Sequence, residues 1–204
     1  MEGKFITLEG IEGSGKSTNL KVVKTIFDQN KIDYVITREP GGGPLGPHLR
    51  KLLLDKDQSI SPPVEMLLMM ADRKDHVDNL IKPNLDKGIW VISDRYLDST
   101  IAYQGGGRQL DINLITSLSA ALKLPSPDFT LLFDLPVDVA LQRAEERSEL
   151  DRFEREPKDF HSRIRDSYLE LASNNHRIRT VDSSKDIESV SMQVEKYLTD
   201  FLNA

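Results

Sequence analysis

Gly10-Ile11-Glu12-Gly13-Ser14-Gly15-Lys16-Ser17-Thr18 lies close to the N-terminus of a 204-residue chain. The residues before it, 4–9 (K-F-I-T-L-E), alternate apolar and polar and are rich in strand formers, while Leu20, Val23, Lys24 and Phe27 after it begin a helix-spaced pattern. The stretch fits G-x-x-x-x-G-K-[ST], with Gly10, Gly15, Lys16 and Ser17 on the fixed positions. Glycines let backbone amides close around phosphate oxygens, and the helix start adds unpaired N–H groups and a positive dipole end. Lys16 is expected to reach the outer phosphates and the Ser17 hydroxyl to ligate Mg²⁺. Strand, loop and helix together read as a nucleoside-triphosphate phosphate loop running from Gly10 to Thr18.

The bulk of the chain narrows the class. Its length suits a single domain, residues 1–204, with a mobile appendage. A net charge of −6 supplies no global basic field to recruit nucleic acid, so basic groups must act locally. The absence of cysteine removes disulfides, thiolate metal sites and cysteine nucleophiles together. No apolar signal core precedes the first strand and no run is long enough to span a bilayer, so a cytoplasmic enzyme is the expectation.

Strand and helix patterns then alternate. Strands are expected at 32–37, 89–93, 128–135 and 177–182, and helices at 45–54, 64–86, 110–124, 137–147, 160–174 and 187–202. Five strands alternating with helices imply a parallel sheet covered on both faces, an α/β three-layer architecture of the P-loop NTPase kind. Pro83 is expected to kink or end the long helix, and Gly105-Gly106-Gly107 to break a helix that Asp98 or Ser99 caps. Residues 148–156 (S-E-L-D-R-F-E-R-E) lack apolar periodicity and carry both charge signs, the pattern of a mobile, solvent-facing excursion. His48, His76, His161 and His176 have no metal-ligand spacing and read as surface residues. Ligands of open α/β sheets sit beyond the carboxyl ends of strands. Two segments fall there: Arg38-Glu39-Pro40-Gly41 and Asp94-Arg95-Tyr96. Asp94 is placed to hold Mg²⁺ through water or to orient Lys16, and Arg95 to clamp a phosphate.

Six motifs in register, spanning essentially the whole chain, resemble the thymidylate kinase family. They are the phosphate loop, T-R-E-P-G-G at 37–42, A-D-R at 71–73, D-R-Y-L-D-S-T-I-A-Y-Q-G at 94–105, P-D-F-T-L-L-F-D-L at 127–135 and E-L-D-R-F-E at 149–154. The resemblance implies transfer of the γ-phosphate of ATP to dTMP with Mg²⁺, and a lid at about residues 143–156. It implies that the Glu12 carboxylate approaches the acceptor's 3′-hydroxyl. Arg38 and Arg95 would hold the dTMP phosphate, with Glu39 nearby and Arg50 as a further candidate. Arg73 would read the thymine edge, and Ser99, Thr100 and Gln104 would contact the base. Tyr103 would pack below the deoxyribose, where a ribose 2′-hydroxyl clashes. Relatives commonly carry a phenylalanine where this chain has Met69, a softer cover for the thymine ring that predicts a weaker, more tolerant base pocket. Relatives also form homodimers, for which the 64–86 helix is a candidate interface.

Phosphoryl transfer asks for alignment and charge neutralisation rather than covalent chemistry. The acceptor phosphate is already ionised at neutral pH, its second pKa being about 6, so no general base is required. Positions 11–14 of the loop hold no basic residue. Arg147 and Arg152 of the charged excursion are therefore the candidates for positive charge from the lid, Arg152 foremost, and Arg143 at its base is the candidate to stack on adenine. Three rivals are a kinase for another nucleoside monophosphate, a nucleotide-dependent switch ATPase, and a nucleic-acid-binding ATPase; the acidic balance opposes the last.

Overall fold

The computed structural model describes residues 3–147 and 150–203. Five parallel strands form one sheet: β1 (Phe5–Glu9), β2 (Tyr34–Arg38), β3 (Trp90–Asp94), β4 (Phe129–Asp134) and β5 (Ile178–Asp182). Their order is β2-β3-β1-β4-β5, with Leu8 level with Asp94 on one side and with Leu131 on the other. β1 is buried along its whole length. Its polar Thr7 is tolerated because its hydroxyl meets that of Thr130 at 2.7 Å.

The strands' side chains divide between two cores. Ile6, Leu8, Ile92, Leu131 and Phe133 pack with Val23 and Phe27 of α1 (Lys16–Gln29) and with Val194 and Leu198 of α9 (Ile187–Leu202). Phe5 and Val91 point the other way, toward Val77, Ile81 and Tyr96, while Leu132 joins Ile164 and Tyr168 of α8 (Lys158–Asn174). Both faces are therefore covered, as the near-continuous apolar strands require. The remaining helices are α2 (Gly46–Leu54), α3 (Pro62–His76), α4 (Lys82–Leu85), α5 (Leu97–Thr100), α6 (Ile112–Ala121) and α7 (Val137–Arg147).

Four local expectations are corrected. The long helix does not stop at Pro83: a π-helical turn, Val77–Ile81, joins α3 to α4 just before it, and Pro83 lies within α4. Proline has no N–H for the carbonyl four residues back, and the wider turn shifts the bonding pattern ahead of it. Gly105–Gly107 does not break its helix either, because α5 continues as a π-helical segment, Ile101–Gly107. The glycines serve close packing on α8: a Cβ at Gly106 would stand 2.7 Å from that of Ser167. The charged stretch is not wholly solvent-facing, since Phe153 and Glu154 are buried, while Ser148 and Glu149 lie outside the described residues. Finally, His76 and His161 are buried, whereas His48 and His176 are exposed as expected.

Candidate active site

β1 and β4 send their connections in opposite directions across the sheet, toward β2 and β5, and the phosphate loop sits at the carboxyl ends of this pair. Gly13 (φ 70°) lies so close to α7 that a Cβ there would collide with the Ala140 carbonyl, which is why glycine holds this variable position. Ile11 is buried in the core below the loop. The Lys16 ammonium caps the loop, donating to Gly10 O at 2.8 Å, Ile11 O at 3.0 Å and Ser14 Oγ at 3.3 Å. Burial, with help from the Arg95 guanidinium, draws its pKa down to about 8. Asp94 Oδ1 is buried without a hydrogen-bond partner, and the hydroxyl-bearing Ser17 stands exposed at the start of α1. A hard cation with oxygen ligands suits such a pair.

A cavity of 740 Å³ opens above the loop. Of the residues expected from sequence, it is lined by Glu12 to Thr18, Arg38, Glu39, Arg50, Met69, Arg73, Asp94, Arg95, Ser99, Thr100, Tyr103, Gln104 and Arg143. Gly10 and Ile11 lie beneath it rather than in its wall. Arg152 is not in the wall either: it turns away to donate to Glu65 Oε2 at 2.6 Å and Leu53 O at 2.9 Å. The Arg147 side chain lies outside the described residues.

Three polar clusters shape the cavity. In the first, Arg95 Nη2 donates to Glu12 Oε1 at 2.7 Å and to the Tyr103 hydroxyl at 3.1 Å, and Tyr103 donates to Glu12 Oε2 at 2.5 Å. Burial would raise the Glu12 carboxyl, but Arg95 and Lys16 hold it below the usual range. Burial likewise opposes the Arg95 charge, and the surrounding Tyr103 and Glu12 more than restore it. Arg95 itself adopts φ 73°, a left-handed conformation that non-glycine residues rarely take.

In the second cluster, fully buried Arg73 of α3 is gripped on every side. Its Nε meets Glu39 Oε2 at 2.7 Å, Nη1 meets Thr100 Oγ1 at 2.8 Å and Nη2 meets Tyr96 O at 2.9 Å. The other Glu39 oxygen meets His76 Nδ1 at 2.9 Å, and His76 Nε2 pairs with Thr37 Oγ1 at 2.7 Å. Glu39 thus orients Arg73 and is 5% exposed, so it is not a surface ion-pair partner of Arg38, which is exposed. Arg50 reaches the same turn by donating to Pro40 O at 2.8 Å. In the third cluster, fully buried Glu65 accepts from Gln104, Arg108 and Arg152, which ties Gln104 down at the cavity's end. At the opposite end Arg143 donates to Ser183 O at 3.1 Å, beside Lys185, Ile187 and Val190.

Glu9, Glu65, His76 and Tyr168 belong to this machinery and escape a sequence reading. Of these only Glu9 carries a local signal, a carboxylate closing the strand that enters the phosphate loop. Burial first, then the nearby Asp98, push its pKa up to about 7.

Comparison with known proteins agrees along the whole length. A profile of the family described as thymidylate kinase matches residues 8–194. The chain is 48% identical to the thymidylate kinase of Carboxydothermus hydrogenoformans over 97% of this chain and 98% of that one. It is 43% identical to that of Marinomonas sp. over 97% and 95%, and 42% identical to that of Neisseria meningitidis serogroup B over 97% of each. A phosphate loop and a set of arginines lining one cavity, with relatives this similar over nearly the full length, mean that the chain belongs to the thymidylate kinase family.

Proposed function

We infer that this chain transfers the γ-phosphate of ATP to dTMP, giving ADP and dTDP and so feeding dTTP to DNA synthesis. The observation that carries the reading is one cavity holding the phosphate loop at its floor and the Arg95–Glu12–Tyr103 and Arg73–Glu39 clusters opposite. The donor's phosphates lie on the backbone amides of Gly13 to Thr18, with Lys16 leaving its carbonyl contacts for the outer phosphates and Arg143 covering the base. Arg95, with Arg38 and Arg50 nearby, grips the acceptor phosphate and turns its oxygen toward the donor. Glu12 orients Arg95 and faces the deoxyribose, and Tyr103 fills the space a ribose 2′-hydroxyl would need. Arg73, Thr100, Ser99 and Gln104 face the base, which Met69 covers. Ser17 and Asp94 are the residues that would hold Mg²⁺, and the ion supplies charge neutralisation across the donor phosphates when bound.

Residues 143–156 act as the lid, within the single domain 1–204, and bring Arg152, or Arg147, to the transferring group. The enzyme works in the cytoplasm as a homodimer; exposed Val64 and Leu67 on α3 support an apolar partner face there. No described helix is long and apolar enough to cross a membrane. ADP release from ATP tests the activity. It is expected to depend strictly on dTMP and to fall at least tenfold when another nucleoside monophosphate replaces it. Equal turnover without acceptor would leave a switch-type ATPase instead.

A further inference from the structure

We propose that Glu9 is a positioning residue for Arg95, fixing both its backbone and its guanidinium. The inference rests on the reading that Arg95 grips the acceptor phosphate. Glu9 is 1% exposed and lies outside the cavity wall, so it touches neither nucleotide. Its Oε1 accepts from the Tyr96 amide at 2.8 Å. Two further bonds bracket the same turn: Arg95 N donates to Leu8 O at 2.9 Å, and Ser93 Oγ donates to Arg95 O at 2.7 Å. Between them sits Arg95 at φ 73°, a conformation that persists only where the surroundings over-determine it. Of the three anchors, Glu9 alone is a side chain from the strand that runs into the phosphate loop. It therefore ties the acceptor's arginine to the donor's loop.

The second Glu9 oxygen governs the guanidinium. Oε2 accepts from Ser99 Oγ at 2.6 Å and from the Tyr168 hydroxyl at 3.0 Å. Ser99 and Tyr168 also meet each other at 2.8 Å, and each accepts from Arg95 Nη1, at 3.2 and 3.3 Å. A hydroxyl has one proton and two lone pairs. With Glu9 ionised, as it is above about pH 7, whichever of the two donates to the other, the chain of donation ends on the Glu9 carboxylate, and lone pairs are left facing Arg95. A glutamine at this position would keep its oxygen for Tyr96 N–H and turn its NH₂ toward the hydroxyls. Donation would then reverse, and the one hydroxyl proton not used between Ser99 and Tyr168 would lose its acceptor beside the guanidinium.

The test is a double-mutant cycle on the full chain, read by calorimetric binding of dTMP and ATP. Glu9→Gln is expected to weaken dTMP at least tenfold and leave ATP within twofold. In an Arg95→Ala background the same change should shift dTMP less than twofold. Equal losses in both backgrounds, or no loss in the first, overturn the proposal. A crystal structure of Glu9→Gln gives a readout independent of function: residue 95 is expected to leave the left-handed region or to lose Glu12, and an unchanged residue 95 refutes the positioning role even if dTMP proves not to be the acceptor. Should Glu9→Gln fail to fold, Tyr168→Phe keeps the Tyr96 anchor and removes one hydroxyl. It is expected to weaken dTMP severalfold, and unaltered binding counts against the proposal.

Discussion

Asp72 shows how a single residue next to the buried Arg73 can set a pH dependence. Both its oxygens accept from Gly41 N, at 3.0 and 3.1 Å, which holds the Glu39–Gly41 turn against α3. Burial pushes its pKa up to about 6 from an ordinary 3.8, with Glu39 adding to the rise. The folded protein therefore keeps this proton where the unfolded chain has lost it. Stability contributed here is complete below the unfolded pKa and declines as pH rises through about 6. Asp72→Asn keeps an acceptor oxygen for Gly41 and removes the titration. Its stability relative to the native chain should improve from pH 4 to pH 7, on the order of 2 kcal/mol, in urea unfolding; a pH-independent difference would refute the assignment. No such behaviour is legible in the sequence. A-D-R-K-D-H looks like a solvated helix face, and the return of β2's exit turn and of the Tyr96–Thr100 segment onto that face buries Asp72, Arg73 and His76.

At the scale of elements, the stretch 150–157 is docked by Arg152, with Arg108 adding a bond to Glu156 at 2.5 Å. Arg152 donates to Leu53 O at the end of α2 and to Glu65 at the start of α3, and its guanidinium lies 4.4 Å from the Phe153 ring centroid. Its Nη2 is buried without a partner, a cost that a second, catalytic placement would explain. For Arg152 to reach the transferring phosphate, this docking must release. Arg152→Ala is thus expected to lower kcat at least tenfold while ATP affinity stays within twofold. Stability should fall by only about 1 kcal/mol, because Glu65 keeps Arg108 and Gln104 as partners. An unchanged kcat with a large stability loss would make the arginine a purely structural clasp. Lack of apolar periodicity in 148–156 marks an irregular segment, and the described part, 150–156, is one. It hides the burial of Phe153 and Glu154, because the groups that bury them come from α2, α3 and the π-helical segment, far away in sequence. The two π turns are hidden for a related reason: proline and a glycine run read locally as breaks, and packing on α8 and β3 carries the helices through.

For the whole molecule, strand and helix periods sufficed for a five-stranded parallel sheet, and the phosphate loop marked which strand leads to the ligand. What sequence patterns could not supply is the strand order, β2-β3-β1-β4-β5, which brings Glu9, Asp94 and Arg38 to one edge and makes a single cavity from residues up to 178 positions apart in the chain, Glu12 and Val190. That geometry gathers cations in a chain whose net charge is −6, so affinity should be confined to small anions that fit the cavity. A ligand at one hundred times its Kd stabilises the folded state by about 2.7 kcal/mol, or about 5–10 °C in Tm for a chain of this size. dTMP and ATP are each expected to raise Tm by that amount at such concentrations. Single-stranded DNA at equal phosphate concentration should leave Tm unchanged, since a chain of net charge −6 has no general basic field to hold a nucleic-acid backbone. A shift with DNA matching that with dTMP would mean that the cavity recognises phosphate alone, and the cluster around Arg73, proposed to face the base, would then have no part in choosing the acceptor.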